Sequence, residues 1–241
     1  MKMRNPRWHR DEIILALDLY FDPERGPIGH KNERVIALSK LFNELPFQPI
    51  NQGDETFRNP NGVSMKLSNF LALDPDYHGK GMESYSNLDK EVFLEFYKNK
   101  DKLRRVASSI RAVVTDKELS HEVMLMEPEV PYEALEGEIL FRLHKVRERD
   151  GKLTAKKKQS VLKATEKLEC EVCQFDFFKA YGDLGKGFIE CHHISPLHLL
   201  DATQKTTLDD LALVCANCHR MLHKSINMLS IEELKKIVKS T

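Results

Sequence analysis

The chain has 241 residues, 41% hydrophobic and 31% charged, a composition typical of globular proteins. It has no apolar run of the roughly 20 residues that cross a bilayer, and its N-terminal residues lack the apolar core of a secretion signal, so we expect a cytoplasmic protein with no membrane partner. The net charge is zero, but residues 142–167 carry ten Lys/Arg against three Asp/Glu. This excess indicates either a polyanionic partner or a solvated basic helix.

The first half of the chain has helical patterning. Apolar residues recur with helical spacing in four stretches of it: 11–21, 32–45, 63–71 and 88–114. In the first of these, Ile13, Leu17 and Tyr20 are expected on one apolar face. We therefore predict a mostly α-helical domain over residues 1–125, separate from the cysteine-rich C-terminal part.

The third helical stretch combines apolar positions with polar ones. Arg58, Asn61, Lys66 and Asn69 are predicted to point outward, on a face that would contact DNA, since Asn and Arg side chains pair with adenine and guanine edges. The alternative, which the residues themselves favour, is a hydrated helix surface with no ligand.

Residues 126–167 are predicted to separate two domains. An acidic, proline-containing stretch is followed by a basic helix or linker, and residues 168–241 form the second domain. Phosphate contacts add salt-sensitive affinity without base information. The candidates for such contacts in the basic part are Arg147, Arg149, Lys156, Lys157 and Lys158.

All five cysteines lie in the last third of the chain, and four form two C-x-x-C pairs. In a reducing compartment such pairs hold metal more often than they form disulfides, and four thiolates complete a closed tetrahedral zinc site. We therefore predict a structural Zn²⁺ on Cys170, Cys173, Cys215 and Cys218. The remaining Cys191 is predicted to pack in the core.

Four histidines remain for a second, open site. If a helix begins near Cys218, His219 and His223 share one face of it, and the cysteine lies about 100° away. His192 and His193 on a strand would point to opposite sides. We predict a divalent ion on His192, His219 and His223, with His193 as the general base that takes a proton from water.

The order of these residues resembles the HNH endonucleases. The segments "ECHHISPL" and "LDDLALVCANCHRMLH", preceded by "CEVC", carry the resemblance over about residues 168–224, and the two C-x-x-C pairs are similar to the McrA-type modified-cytosine restriction enzymes. The resemblance implies a C-terminal zinc-stapled ββα-metal nuclease domain, which together with the helical N-terminal domain predicts an α+β chain. The implied reaction is hydrolysis of double-stranded DNA with Mg²⁺, Mn²⁺, Co²⁺, Ni²⁺ or Zn²⁺ as the catalytic ion.

Carried over by position, the resemblance implies that His192 is a metal ligand, that His193 is the base and that His219 and His223 complete the metal site. The family's middle Asn falls at Asp210, which is a departure. The residue at this position braces the loop and helps to orient the base, and an Asp can do so by bonding a ring N–H or a loop amide. Glu190 is either a partner that orients a ligating imidazole or an ordinary exposed carboxylate.

The combined prediction is a DNA endonuclease of restriction or defence, directed to modified cytosine by the McrA-type resemblance. A double-strand break would require a homodimer or two encounters, because one such site cuts one strand. No G-x-x-x-x-G-K-[ST] motif is present, so no nucleotide cofactor is expected. The alternatives are a non-catalytic zinc-containing DNA-binding protein and an unspecific DNA or RNA nuclease.

Overall fold

The computed structural model describes residues 5–46, 56–79, 81, 84–125, 137–148, 151–194, 206–224 and 229–239. The described residues contain eleven α-helices and two β-strands, so the chain is mostly helical with one small sheet, an α+β architecture as predicted. It divides into two compact units, Met1–Leu143 and His144–Thr241. Within the described ranges, each helix is too short or too polar to cross a lipid bilayer.

The N-terminal unit is built around its first helix. Its helices are α1 (Arg10–Phe21), α2 (Glu33–Glu44), α3 (Pro60–Leu71), α4 (Asn87–Tyr97), α5 (Lys100–Thr115), α6 (Lys117–Leu125) and the first half of α7 (Glu138–Glu148). Helix α1 contacts α2, α3, α4 and α5, and every residue from Asp11 to Leu17 is buried. The sequence pattern predicted one apolar face, whereas α1 is enclosed nearly all round.

Burial of α1 includes two acidic side chains, and both accept hydrogen bonds from distant parts of the chain. Glu12 accepts hydrogen bonds from Arg58 Nε and Nη2 at 2.6 and 2.8 Å. The Arg58 guanidinium also lies 4.2 Å from the ring centre of Trp8 and is only 3% exposed. Asp11 accepts from the backbone N–H of Ile139, at the start of α7.

The polar residues of α3 are buried in the same manner. Lys66 is 4% exposed and donates to both carboxylate oxygens of Asp89 at 2.7 and 2.8 Å. Asn69 is buried and accepts from the hydroxyl of Ser84. The prediction that Arg58, Lys66 and Asn69 face outward to contact DNA is therefore wrong, because their partners hold them inside the helical unit. Asn61 alone of this predicted set is exposed.

The C-terminal unit is organised around a strand–strand–helix arrangement. Its elements are α8 (Gly151–Thr165), α9 (Phe177–Tyr181), β1 (Glu190–His193), β2 (Leu211–Val214), α10 (Ala216–Leu222) and α11 (Ile231–Lys239). The strands are antiparallel, with Glu190 opposite Val214 and His193 opposite Leu211, and α10 packs against β1 and α11. β1 is the strand on which the sequence placed His192 and His193.

The connecting segment is described only in part. Residues 126–136, which hold most of the predicted acidic boundary, and Arg149 lie outside the described residues. The unit boundary after Leu143 falls inside α7, and the basic stretch that follows forms α8.

Candidate active site

The first cysteine pair lies in a tight turn that is attached to β2. The N–H of Gln174 donates to the carbonyl of Cys170, and Gln174 has a φ of 63°, which closes the turn immediately after Cys173. Glu171 bonds β2 twice: its N–H donates to the Leu213 carbonyl, and its carboxylate accepts from the Leu213 N–H at 2.7 Å. The turn thus presents both sulfurs at a fixed position beside the sheet.

The second cysteine pair opens α10 and completes a cluster of four. Cys215 is the N-cap of α10, and its sulfur accepts from the Cys218 N–H at 3.4 Å. The four sulfurs lie within 4.8 Å of one another, and the Cys173 and Cys215 sulfurs are 3.7 Å apart. Zn–S bonds of about 2.3 Å in a tetrahedron place sulfurs about 3.8 Å apart. The donor set and spacing therefore fit a structural zinc ion.

The thiols of the cluster differ in how readily they ionise. Burial opposes ionisation of Cys170, but hydrogen bonds from the backbone N–H groups of Cys173, Cys215 and Val172 outweigh it and lower the pKa of this thiol. Burial and the neighbouring sulfurs raise the pKa of Cys218. A zinc ion would take the place of the remaining protons, since thiols bind zinc as thiolates.

Three histidines from two elements form a second group. His192 on β1 lies against His219 of α10 and His223, the C-cap of that helix, with ring-centre distances of 5.2 and 4.9 Å, and the rings of His219 and His223 are 4.9 Å apart. One ring nitrogen of each lies within 4.8 Å of the others. The helix begins at Ala216, before the predicted Cys218, but the four-residue spacing still places both imidazoles on the strand side. Three imidazoles fit an open divalent-metal site that leaves positions for water or substrate.

Glu190 orients one of these imidazoles. Its Oε2 lies 2.7 Å from His219 Nδ1, so Nε2 is the nitrogen through which His219 would bind an ion. Glu190 and His192 are two residues apart on β1 and so share a face of the strand, which explains why both reach α10. Of the two interpretations of Glu190, the orienting partner is the one that this geometry supports.

The neighbouring His193 stands apart from the three-histidine group. It is 2% exposed and is paired with Leu211 across the sheet. Next to that pair, Asp210 accepts from the Thr207 N–H and hydroxyl at 2.8 and 2.7 Å, and its carbonyl accepts from Ile194. The bonds from Thr207 hold the pKa of the Asp210 carboxyl below its usual value, and His193 acts in the same direction. Asp210 therefore braces the turn of residues 207–210 that leads into β2.

The basic residues predicted to bind phosphate differ in their surroundings. Lys156 is exposed, whereas Lys157 donates to the carbonyl of Leu208 and Lys158 to that of Gly187, each at 3.0 Å. The side chain of Arg147 is outside the described part of the structure, as is all of Arg149.

The sequence analysis did not identify Thr207 as the partner of Asp210 or the hydrogen bond from Lys157 to Leu208. Thr207 had a local signal, because Thr207 and Asp210 have the spacing of a capping box, in which each side chain bonds the other's backbone. The Lys157–Leu208 bond had no local signal, since 51 residues separate the two partners.

Part of the C-terminal unit matches a family of known proteins. Residues 170–225 match the family model described as HNH endonuclease. That span holds both cysteine pairs, the four histidines, Glu190 and Asp210, and it begins after α8. No curated protein and no solved structure matches the chain. The resemblance to the HNH endonucleases is confirmed for this domain.

Proposed function

From the HNH endonuclease domain that this chain carries at residues 170–225, we propose that the protein is a metal-dependent endonuclease that hydrolyses phosphodiester bonds in double-stranded DNA. The observation that supports the proposal most directly is that the adjacent histidines of β1 lie in different surroundings. His192 joins the helix histidines in a metal-binding group, while its neighbour His193 is excluded from that group and lies beside Asp210.

In the proposed reaction His193 accepts a proton from a water molecule, which then attacks phosphorus in line with the leaving oxygen. Asp210 and Thr207 bond each other in the turn that leads into β2, and this turn would help to position His193. An ion bound by His192, His219 and His223 would neutralise charge on the phosphate and on the departing alkoxide. By the family resemblance, the products carry 5′-phosphate and 3′-hydroxyl ends.

The cysteine cluster has a structural role in this proposal. Cys170 and Cys173 come from the turn bonded to β2, and Cys215 and Cys218 from the first turn of α10. A zinc ion shared by the two pairs would hold the start of α10 against the sheet, which also positions His219. Closed zinc sites of this kind stabilise small domains directly.

The proposed substrate contacts come from the basic segment and the helical unit. Exposed Lys156, with Arg147 and Arg149, would bind phosphates, and the N-terminal unit would select or position the target. We propose a restriction or defence role with a preference for modified cytosine, as in the McrA-type enzymes that the domain resembles. Cleavage of both strands would need two copies of the chain or two encounters.

Supercoiled plasmid incubated with the purified protein and Mg²⁺, Mn²⁺, Co²⁺ or Ni²⁺ tests the proposal. We expect nicked and then linear DNA with the wild type and with His121→Ala, a control at an exposed histidine of the N-terminal unit, and intact plasmid with His193→Ala. Intact plasmid with all three proteins, together with DNA retention in a gel, would leave a non-catalytic zinc-containing DNA-binding protein. Equal degradation of RNA would identify an unspecific nuclease.

The substrate preference needs a second comparison. The same plasmid is prepared unmodified, methylated and hydroxymethylated at cytosine, and the cut ends are sequenced. Faster cleavage of a modified plasmid supports the modified-cytosine proposal. Equal rates on all three would reject it and leave the endonuclease proposal intact.

A further inference from the structure

Helix α8 lies outside the family match but is packed on the nuclease sheet. Its apolar residues Leu153 and Val161 contact a buried cluster formed by both strands. The members of that cluster are Ile189, Cys191, Leu211 and Leu213. The basic stretch is therefore an amphipathic helix whose apolar side completes the core of the C-terminal unit.

Lys157 of this helix contacts the turn that leads into β2. Its Nζ donates to the Leu208 carbonyl at 3.0 Å, and the same carbonyl accepts from the N–H of Leu211. Leu211 is the first residue of β2 and the register partner of His193. The hydrogen bond from Lys157 thus ends on the turn that places β2 opposite the proposed base.

Lys158 contacts the turn that leads into β1. Its Nζ donates to the Gly187 carbonyl at 3.0 Å, and burial lowers the pKa of Lys158. Gly187 has a φ of 73°, a conformation that favours glycine, and the strand residue Glu190 follows three positions later. Two adjacent lysines on one helix therefore hold the starts of both strands of the active site.

We propose that α8 is part of the catalytic module and that Lys157 is a positioning residue for His193, with Lys158 doing the same for the start of β1. The proposal rests on the proposed endonuclease function. It replaces the expectation that these two lysines bind phosphate, because their ammonium groups donate to protein carbonyls in the described structure.

The test compares three variants in plasmid cleavage. Lys157→Met keeps an apolar side chain of similar length and loses the donor, Lys157→Arg keeps a donor, and Lys163→Met removes the same charge from an exposed position on α8. We expect kcat to fall roughly tenfold for Lys157→Met, because small displacements of a catalytic group are costly, with KM unchanged. Lys157→Arg should retain most of the turnover, and Lys163→Met all of it.

Salt dependence separates positioning from phosphate binding. DNA affinity is measured against salt concentration in a His193→Ala background, with and without Lys157→Met. Loss of a phosphate contact would lower the slope of log K against log salt by about one and raise KM at unchanged kcat. That result would overturn the proposal, as would a Lys157→Met protein with wild-type kcat. If Lys157→Met does not fold, loss of turnover in folded Lys157→Arg would overturn it and retained turnover would support it.

A readout that does not depend on cleavage distinguishes failure of this proposal from failure of the endonuclease proposal. The N–H groups of Ile194 and Leu211 bond the carbonyls of Asp210 and Leu208, and their hydrogen exchange reports on the held turn. Faster exchange in Lys157→Met but not in Lys163→Met supports the positioning role even if the wild type cuts no DNA. Equal exchange in both variants would reject it.

Discussion

The bond between Glu190 and His219 makes a quantitative prediction about the open metal site. Glu190→Ala removes the carboxylate that lies 2.7 Å from His219 Nδ1. The imidazole then loses the partner that holds its orientation and leaves Nε2 for an ion. Since Glu190 is not itself one of the three imidazole ligands, the variant should retain the site but bind the ion more weakly.

The expected size follows from the way such partners act on metal sites. Loss of the group that bonds a ligating histidine costs about 10- to 100-fold in metal affinity, or about 1.4–2.7 kcal/mol. Glu190→Gln should cost less, because its amide oxygen can still accept from Nδ1–H, although without the charge that strengthens the bond. Metal affinity should therefore decrease from wild type to Glu190→Gln, then to Glu190→Ala, and be lowest in His219→Ala.

Calorimetric titration with Co²⁺ or Ni²⁺, on protein whose zinc content is measured in parallel, tests this order. Asp183→Asn removes an exposed carboxylate from the same unit and serves as the control. Wild-type affinity in Glu190→Ala, with a loss in His219→Ala, would refute the orienting role. Loss of zinc from Glu190→Ala would show that the two sites are not separate.

Three further predictions concern the zinc cluster, the loop brace and the helical unit. Cys173→Ala should lose zinc and unfold the C-terminal unit, measured by zinc content and circular dichroism, because the closed site contributes folding energy. In urea unfolding, the free energy of unfolding of Asp210→Asn should be lower than that of the wild type at neutral pH, and the difference should shrink below about pH 4. The lowered pKa of Asp210 gives stability above that range, which is lost as the pH falls through the lowered value. Arg58→Met should destabilise the helical unit by about 3–5 kcal/mol in urea unfolding, because Glu12 is left charged and buried without the guanidinium.

Each of these has a control and an opposing outcome. Cys191→Ala changes a buried cysteine outside the four-sulfur group and should keep zinc, so equal zinc loss in both variants would contradict the assignment. If the loss of unfolding free energy in Asp210→Asn did not change with pH, titration of Asp210 would not contribute to stability. The double variant Arg58→Met, Glu12→Gln should recover part of the lost stability, and no recovery would show that the cost lies elsewhere.

The two groups of candidate metal ligands were predictable because their signals are local. The C-x-x-C spacing is that of a tight turn that presents two sulfurs, and residues four apart on a helix share a face whether the helix begins at Ala216 or at Cys218. Because side chains alternate along a strand, adjacent His192 and His193 are expected on opposite faces. These rules depend only on a few neighbouring residues, and they located both groups of metal-binding side chains.

The helical unit shows where such rules stop. Hydrophobic periodicity assigns charged residues to the outside of a helix. Arg58 is nevertheless buried and paired with Glu12, 46 residues away, and Lys66 is buried and paired with Asp89, 23 residues away. A buried ion pair has the same composition as a solvated face, and only the packing of α1, α3 and α4 brings the partners together. The predicted DNA-binding face failed for this reason.

The bonds that support the active site depend on packing in the same way. Glu190 reaches His219 across 29 residues, and its role follows from how α10 lies on β1. A run of lysines predicts phosphate contacts for Lys157 and Lys158, but their bonds to the carbonyls of Leu208 and Gly187 depend on how α8 packs beside both strands. The ligands were visible in the sequence, whereas the residues that hold them were not.

The two groups share α10, and this makes their dependence one-sided. Cys215 caps the helix and Cys218 lies in its first turn, so a zinc ion on the four cysteines would fix where α10 begins and how it meets the sheet. His219 follows Cys218 directly, and the open site therefore requires the closed one. Nothing in the zinc cluster requires His193, which lies on β1 outside both groups. Changes to the cysteines should remove fold, metal and turnover together, whereas a change to His193 should remove turnover alone.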